Sequence, residues 1–207
     1  MTGLALAAGM TSSAASAAHR SPAPPPPGPA VTAIGLLMAL WCVGFAVFNV
    51  VFEATDRFAD GAYADYSSAI TVMNWLVVGL KALGAAVALL SVAKRPTFVP
   101  PALLAVLVWG VFATLGLYAA GSVVQAVGMV SGLAGGVEQI DTAGVGYVLL
   151  FLLAAAGFGI LAVSHSRRNG LRKGSAVLGV LGAPAVLGLV LLAVPTLLAA
   201  LGLMPTP

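Results

Sequence analysis

Charged side chains are scarce in this chain of 207 residues: they make up 7%, whereas a soluble domain carries about 25%. Too few charges are present to coat a soluble fold of this size, so lipid must be the solvent for most side chains. Apolar residues make up 60%, and the mean hydropathy is +1.07. The composition therefore predicts an integral membrane protein and leaves no room for a sizeable soluble domain.

Residue types that carry chemistry are equally scarce. The one cysteine, Cys42, cannot form an internal disulfide, and the two histidines, His19 and His165, fall outside the apolar runs. The sequence shows no metal-ligand spacing, phosphate-binding loop, nucleophile elbow or zinc-protease helix. Its basic residues are not interleaved with aromatic residues as in a nucleic-acid surface. We therefore expect a non-enzymatic protein with no metal, no cofactor and no nucleic-acid partner.

What the sequence does contain is five long apolar runs. They follow residues 1–30, an Ala/Ser- and Pro-rich segment that predicts a disordered cytoplasmic tail. Each run reaches the roughly 20 residues that cross about 30 Å of hydrocarbon, where backbone groups must pair within the segment. Residues 31–205 are thus expected to form an all-α bundle of about five transmembrane helices. The expected spans are 31–52, 70–92, 102–123, 145–163 and 176–203.

Two parts of this assignment leave alternatives open. The fifth run is long and contains Pro184 and Pro195, so we expect one kinked or tilted span, with a surface helix plus a shorter span as the alternative. The Gly-rich stretch 124–143 either extends the third helix or lies along the membrane surface. Ala15-Ser16-Ala17 resembles a cleavage site, but no basic residue precedes it, which argues against a signal peptide.

Basic and acidic residues separate to opposite sides of the predicted helices. Seven of the nine basic residues fall on one side, and all six acidic residues fall on the other. The basic side holds Arg20, Lys94, Arg95, Arg167, Arg168, Arg172 and Lys173, and the acidic side holds Glu53, Asp56, Asp60, Asp65, Glu138 and Asp141. Short loops rich in lysine and arginine stay in the cytoplasm. The sequence therefore predicts a multi-pass protein of the cell membrane with its N-terminus inside and its C-terminus outside.

Lys81 is the one charge that this orientation does not explain. It lies in the middle of the second run, where a lysine costs about 2.5–3.5 kcal/mol to insert. Asn74 lies seven residues earlier on the same helix face, and Asn49, Glu53 and Asp56 form a polar stripe at the outer end of the first helix. We expect Lys81 to point into a polar crevice lined by Asn74, Asn49 and Glu53. The remaining wall is expected to be the rings of Trp109 and Tyr118.

Two interpretations of this crevice stay open. In the functional one, Lys81, Asn74, Asn49 and Glu53 bind an anionic ligand or carry protons. In the structural one, Lys81 is a lysine in a locally hydrated helix interface. A second candidate site is the basic cluster Arg167, Arg168, Arg172 and Lys173, which either binds anionic lipid headgroups or only sets the topology.

The segments Lys81–Leu90, Lys94–Pro96 and Val106–Gly110 resemble the small, Ala/Gly/Leu/Val-rich polytopic membrane proteins of high-GC bacteria. The resemblance implies a helical membrane fold and transfers no site residue. We expect an accessory or interaction component of the plasma membrane, whose partners are the bilayer and another membrane protein or a second copy of the chain. The alternatives are a small carrier or channel-like protein using Lys81, and a membrane enzyme acting on a lipid or quinone.

Overall fold

The computed structural model describes residues 24–55, 67–94, 98–133, 135–136, 138, 140–200 and 202, without the side chains of 68, 69, 195 and 198. Throughout these ranges the regular structure is helical, and five helices are long and apolar enough to cross a membrane. They are α1 (Pro29–Ala54), α2 (Ser67–Ser91), α3 (Pro101–Val130), α4 (Thr142–Arg168) and α5 (Lys173–Ala200). The predicted all-α membrane bundle is thereby confirmed.

Local sequence signals set several of the helix ends. Pro29 and Pro101 open α1 and α3 at a position where a helix needs no backbone N–H donor. Asp141 caps α4 by accepting a hydrogen bond from the backbone N of Gly144 at 2.6 Å. The last turn of α4 carries His165, Arg167 and Arg168. The two arginine cations stabilise this end, because the C-terminus of a helix carries partial negative charge. The ends of α4 are therefore specified by capping chemistry as well as by hydropathy.

Four helices share one apolar core. The helix α1 packs against α2 and α4, α3 packs against α4, and α2 also contacts α3 and α4. The core centres on fully buried Phe158, Leu104, Leu161 and Val108, with small residues where backbones approach closely. A Cβ added at Gly84 of α2 would lie 3.0 Å from Cys42 Sγ of α1, which shows how close these two helices are.

The helix α5 lies at the edge of the bundle. Its main contact is with α3, and no described α5 side chain belongs to the buried core. The approach is nevertheless tight, since a Cβ added at Gly179 would lie 2.5 Å from the backbone O of Val106. Only 6% of its most apolar window is buried, compared with 22–33% in the other four helices. Most of the surface of α5 is therefore available to lipid or to another membrane helix.

The two ends of the bundle differ in charge. The ends of α2 and α4 meet the starts of α1, α3 and α5 at what we call the basic end, which holds Lys94, Arg167, Arg168, Arg172 and Lys173. The opposite, acidic end holds Glu53, Glu138 and Asp141. Of the charges the structure describes, only Lys81 lies between the two ends, as the sequence predicted.

The structure also refines the helix boundaries. The helix α3 continues to Val130, about two turns beyond the predicted 123, so the first part of the stretch 124–143 extends this helix. The fifth run forms a single helix, Lys173–Ala200, that continues through both prolines. Residues 24–28 run non-helically into α1, and the rest of the N-terminal segment lies outside the described residues.

Candidate functional site

Lys81 lies at the middle of the bundle. It precedes the last residue of α2, Ser91, by ten positions, which places it about 15 Å along the helix axis from that end. The side chain is half-buried and turned toward α1 and α4. Within the described part of the chain, no ion pair joins its ammonium to a carboxylate.

Three aromatic rings surround the Lys81 ammonium instead. Its Nζ lies 3.8 Å from the ring centroid of Trp41, 4.6 Å from that of Phe45 and 4.8 Å from that of Phe151. We call these three side chains the aromatic cage. The negative face of an aromatic ring attracts a cation within about 6 Å, most strongly when water is excluded. The cage therefore provides electrostatic compensation for a charge placed deep in the membrane.

The cage is held in shape by contacts among its own rings. Trp41 and Phe45 each pack edge-on against Phe151, at centroid distances of 5.4 and 5.5 Å. Tyr118 of α3 supports Phe151 from 4.4 Å, and Tyr147 of α4 lies 6.0 Å from Phe45. Such pairs favour fixed relative orientations. The rings therefore hold α1 and α4 around the lysine that α2 supplies.

The expectation that the rings of Trp109 and Tyr118 face Lys81 is wrong, because the aromatic cage occupies that position. Trp109 lies nearer the basic end, where its indole Nε1 donates a hydrogen bond to Ser166 Oγ at 3.1 Å. Its ring packs edge-on against Phe112 of the same helix. Tyr118 does reach the cage, but it packs at a tilt against Phe151, and among the described cation–π contacts of Lys81 there is none with its ring. The physical reason is that α1 lies directly against α2 and presents its own rings first.

A polar cluster lies between the cage and the acidic end of the bundle, formed by Asn49, Glu53, Thr71 and Asn74. The buried Asn74 amide donates to the backbone O of Asn49 at 3.0 Å and to Glu53 Oε2 at 3.2 Å. Thr71 Oγ1 donates to Glu53 Oε1 at 2.8 Å. Both carboxylate oxygens of Glu53 are thus bound by α2. Asp56, which the sequence adds to this stripe, lies outside the described residues.

The cage and the polar cluster are connected through one hydrogen bond. Asn49 Nδ2 donates to the backbone O of Phe45 at 2.7 Å, and the Phe45 ring faces Lys81. The structure therefore brings Asn49, Glu53 and Asn74 together as expected. Lys81 is separated from Asn74 by two helical turns, about 10 Å along the axis, and is held by the rings.

Sequence reasoning missed the three cage residues, although α1 carries a signal for two of them. Trp41, Phe45, Asn49 and Glu53 recur every four residues and therefore form one ridge along α1. Thr71, Asn74 and Lys81 occupy one face of α2 at the matching antiparallel positions. Continuing the four-residue spacing of Asn49 and Glu53 toward the N-terminus of α1 predicts that Phe45 and Trp41 lie on the same face. Nothing local marks Phe151, because it comes from a helix remote in sequence.

The basic cluster forms a second set of polar contacts. Arg168 Nη2 donates to the backbone O of Ser91 at 2.6 Å and so ties the end of α4 to the end of α2. The buried His165 contacts the backbone O of Pro101 through Nε2 at 3.1 Å. Arg167, Arg172 and Lys173 are exposed. Of the four basic residues predicted as a headgroup site, Arg168 therefore also holds helices together.

Comparison of the chain with protein-family models, with curated proteins and with solved structures finds no match in any of the three. The candidate function is therefore argued from the geometry of the two polar regions alone.

Proposed function

We propose that this protein is a non-enzymatic accessory component of the plasma membrane, oriented with its N-terminus in the cytoplasm and its C-terminus outside. The orientation is supported by the charge difference between the two ends of the bundle, since lysine- and arginine-rich ends stay in the cytoplasm. The non-enzymatic role is supported chiefly by the environment of Lys81. The rings of the bundle surround this deep charge, and the nearby polar groups bind one another.

An accessory role also requires a surface for association, and α5 offers one. It is attached to the bundle mainly through α3 and exposes large apolar side chains, among them Leu181 at 67% and Leu192 at 73%. A second membrane protein packing on this face would bury the apolar residues that the chain itself leaves uncovered. We propose that the partner is a different membrane protein and not a second copy of this chain, because an accessory component acts on another protein.

The role of Lys81 is tested by comparing Lys81→Met with Lys81→Arg in a strain that lacks the native gene. If the accessory proposal is right, Lys81→Met folds and restores the function of that strain, because methionine can fill the aromatic cage without the charge. A Lys81→Met protein that is stably folded and yet inactive would overturn the proposal.

Association through α5 is tested by placing a photo-crosslinking residue at Leu181 and, as a control, at Leu149, an exposed apolar position of α4. We expect a discrete heterologous crosslink from Leu181 in native membranes. Crosslinks to lipid only, or to a second copy of the chain, would contradict the partner that we propose.

The second candidate is a small carrier with Lys81 in its pathway. It is favoured by the alignment of Glu53, Asn74 and Lys81 from the acidic end to the middle of the membrane. The test is labelling of Lys81→Cys by a water-soluble thiol reagent in a Cys42→Ser background. Labelling from the outside supports a pathway, and no labelling from either side removes this candidate.

A further inference from the structure

A surface groove of about 590 Å³ runs along α4 at the basic end of the bundle, beside Phe112 of α3. We call it the basic-end groove. Toward the membrane interior its wall is apolar, formed by Ala156, Ile160 and Val163, and toward the basic end it is formed by Arg167 and Arg168. The groove therefore changes from apolar to cationic along its length.

The spacing of the lining residues makes this a continuous stripe along the axis of α4. Ala156, Ile160, Val163 and Arg167 follow one another at intervals of four, three and four residues, which places them on one face of α4. From Ala156 to Arg167 the stripe covers about 16 Å of helix. That length lets part of one lipid acyl chain lie against α4 while its headgroup reaches the arginine level.

Gly159 allows α3 and α4 to approach each other closely beside the groove. It lies on the groove wall, and a Cβ added there would lie 3.2 Å from the Phe112 ring. Because the glycine has no side chain, the Phe112 ring can lie against α4. One side of the groove is therefore an aromatic face, and the other is a helix face with small and branched apolar side chains.

The basic end of the groove can bind an anion through Arg167. This side chain is exposed, whereas Arg168 donates from Nη2 to the backbone O of Ser91 and adds positive charge beside it. The described acidic residues, Glu53, Glu138 and Asp141, lie at the opposite end. A group that approaches the two arginines from the membrane therefore encounters positive charge only, within the part of the chain that the structure describes.

We propose that the basic-end groove is a binding site for an anionic phospholipid. One acyl chain lies along Ala156, Ile160 and Val163 against the Phe112 ring, and the phosphate accepts hydrogen bonds from Arg167. A zwitterionic lipid fits the apolar part equally well but brings its own cation to the arginines. The site therefore selects for net negative charge at the headgroup. This inference is independent of the accessory role and of Lys81.

The experiment measures lipid binding to the full-length protein by native mass spectrometry, with phosphatidylglycerol and phosphatidylcholine added in equal amounts. We expect the wild-type protein to retain phosphatidylglycerol in preference to phosphatidylcholine. The Arg167→Gln variant should bind phosphatidylglycerol about fivefold more weakly, which corresponds to about 1 kcal/mol per basic residue. The matched control is Arg172→Gln, which removes the same charge from the same end without altering the groove lining. We expect less than a twofold effect from the control.

A second pair of variants tests the apolar half of the groove and leaves every charge in place. Ala156→Phe fills the groove from an exposed position and is expected to lower phosphatidylglycerol retention, whereas Leu150→Phe, at an exposed α4 position about 120° around the helix from Ala156, is not. Excess glycerol phosphate is expected not to compete, since it has no acyl chain. Equal losses from Arg167→Gln and Arg172→Gln, or equal retention of the two lipids, would overturn the proposal.

Discussion

Replacing Trp41 by leucine removes the ring face closest to the Lys81 ammonium, which lies 3.8 Å from the ring centroid. The substitution has two effects: it removes the cation–π contact, and it removes the packing of Trp41 against Phe45 and Phe151. A double-mutant cycle with Lys81→Met separates them, because the packing loss remains when the charge is absent. The coupling free energy then reports on the attraction between ring and ammonium.

The expected coupling is about 2 kcal/mol, the value for a desolvated cation over an aromatic face. That is about a 30-fold change in the unfolding equilibrium constant. It offsets most of the roughly 2.5–3.5 kcal/mol that a lysine at the membrane centre costs. We therefore expect Lys81→Met alone to change the free energy of unfolding by only about 0.5–1.5 kcal/mol. Trp41→Leu alone should destabilise strongly, because it leaves the charge without its main ring.

The assay is equilibrium unfolding in mixed detergent micelles with increasing denaturing detergent, followed by circular dichroism, for the four members of the cycle. Trp75→Leu paired with Lys81→Met serves as the control cycle, because Trp75 is an exposed tryptophan on α2 itself. The control coupling should fall within the additivity error of about 0.5 kcal/mol. A Trp41–Lys81 coupling that small would refute the view that the cage stabilises the charge.

Three further predictions concern packing, the polar cluster and orientation. Gly179→Ala should destabilise the attachment of α5 to α3 by about 1–3 kcal/mol in the same unfolding assay, because the new Cβ has no room; Gly174→Ala, in open space on the same helix, should leave that transition near its wild-type position. Glu53→Ala should cost about 1–3 kcal/mol, because it removes the acceptor of Thr71 Oγ1 and one of the two acceptors of the buried Asn74 amide, and a cost near zero would show that water replaces the carboxylate. In a cysteine-free background, an impermeant thiol reagent added to intact cells should label Leu133→Cys but not Arg172→Cys, and the reverse pattern would overturn the proposed orientation.

The candidate site was only partly predictable. The sequence identifies Lys81 as an expensive charge, and it places Asn49, Glu53 and Asn74 on facing helices, because these inferences need only helical periodicity and a short connection. The cage depends instead on which helices are neighbours. Phe151 reaches Lys81 because α4 packs against α1, an adjacency that no local pattern encodes. For the same reason, the sequence could not predict the groove beside Phe112 and Gly159.

The sequence alone determined that most side chains of this protein face lipid. It also determined the five helices and the separation of charge between the two ends of the bundle. These properties follow from transfer free energies and backbone hydrogen bonding, which act on each segment separately. The tertiary structure decided what surrounds Lys81 and where the arginines of α4 meet an apolar groove. In lipid, nearly every face of these helices is apolar, so hydropathy does not select neighbours. Close approach at small residues selects the neighbours instead, as where Gly84 lies against Cys42 and Gly179 against the backbone of Val106.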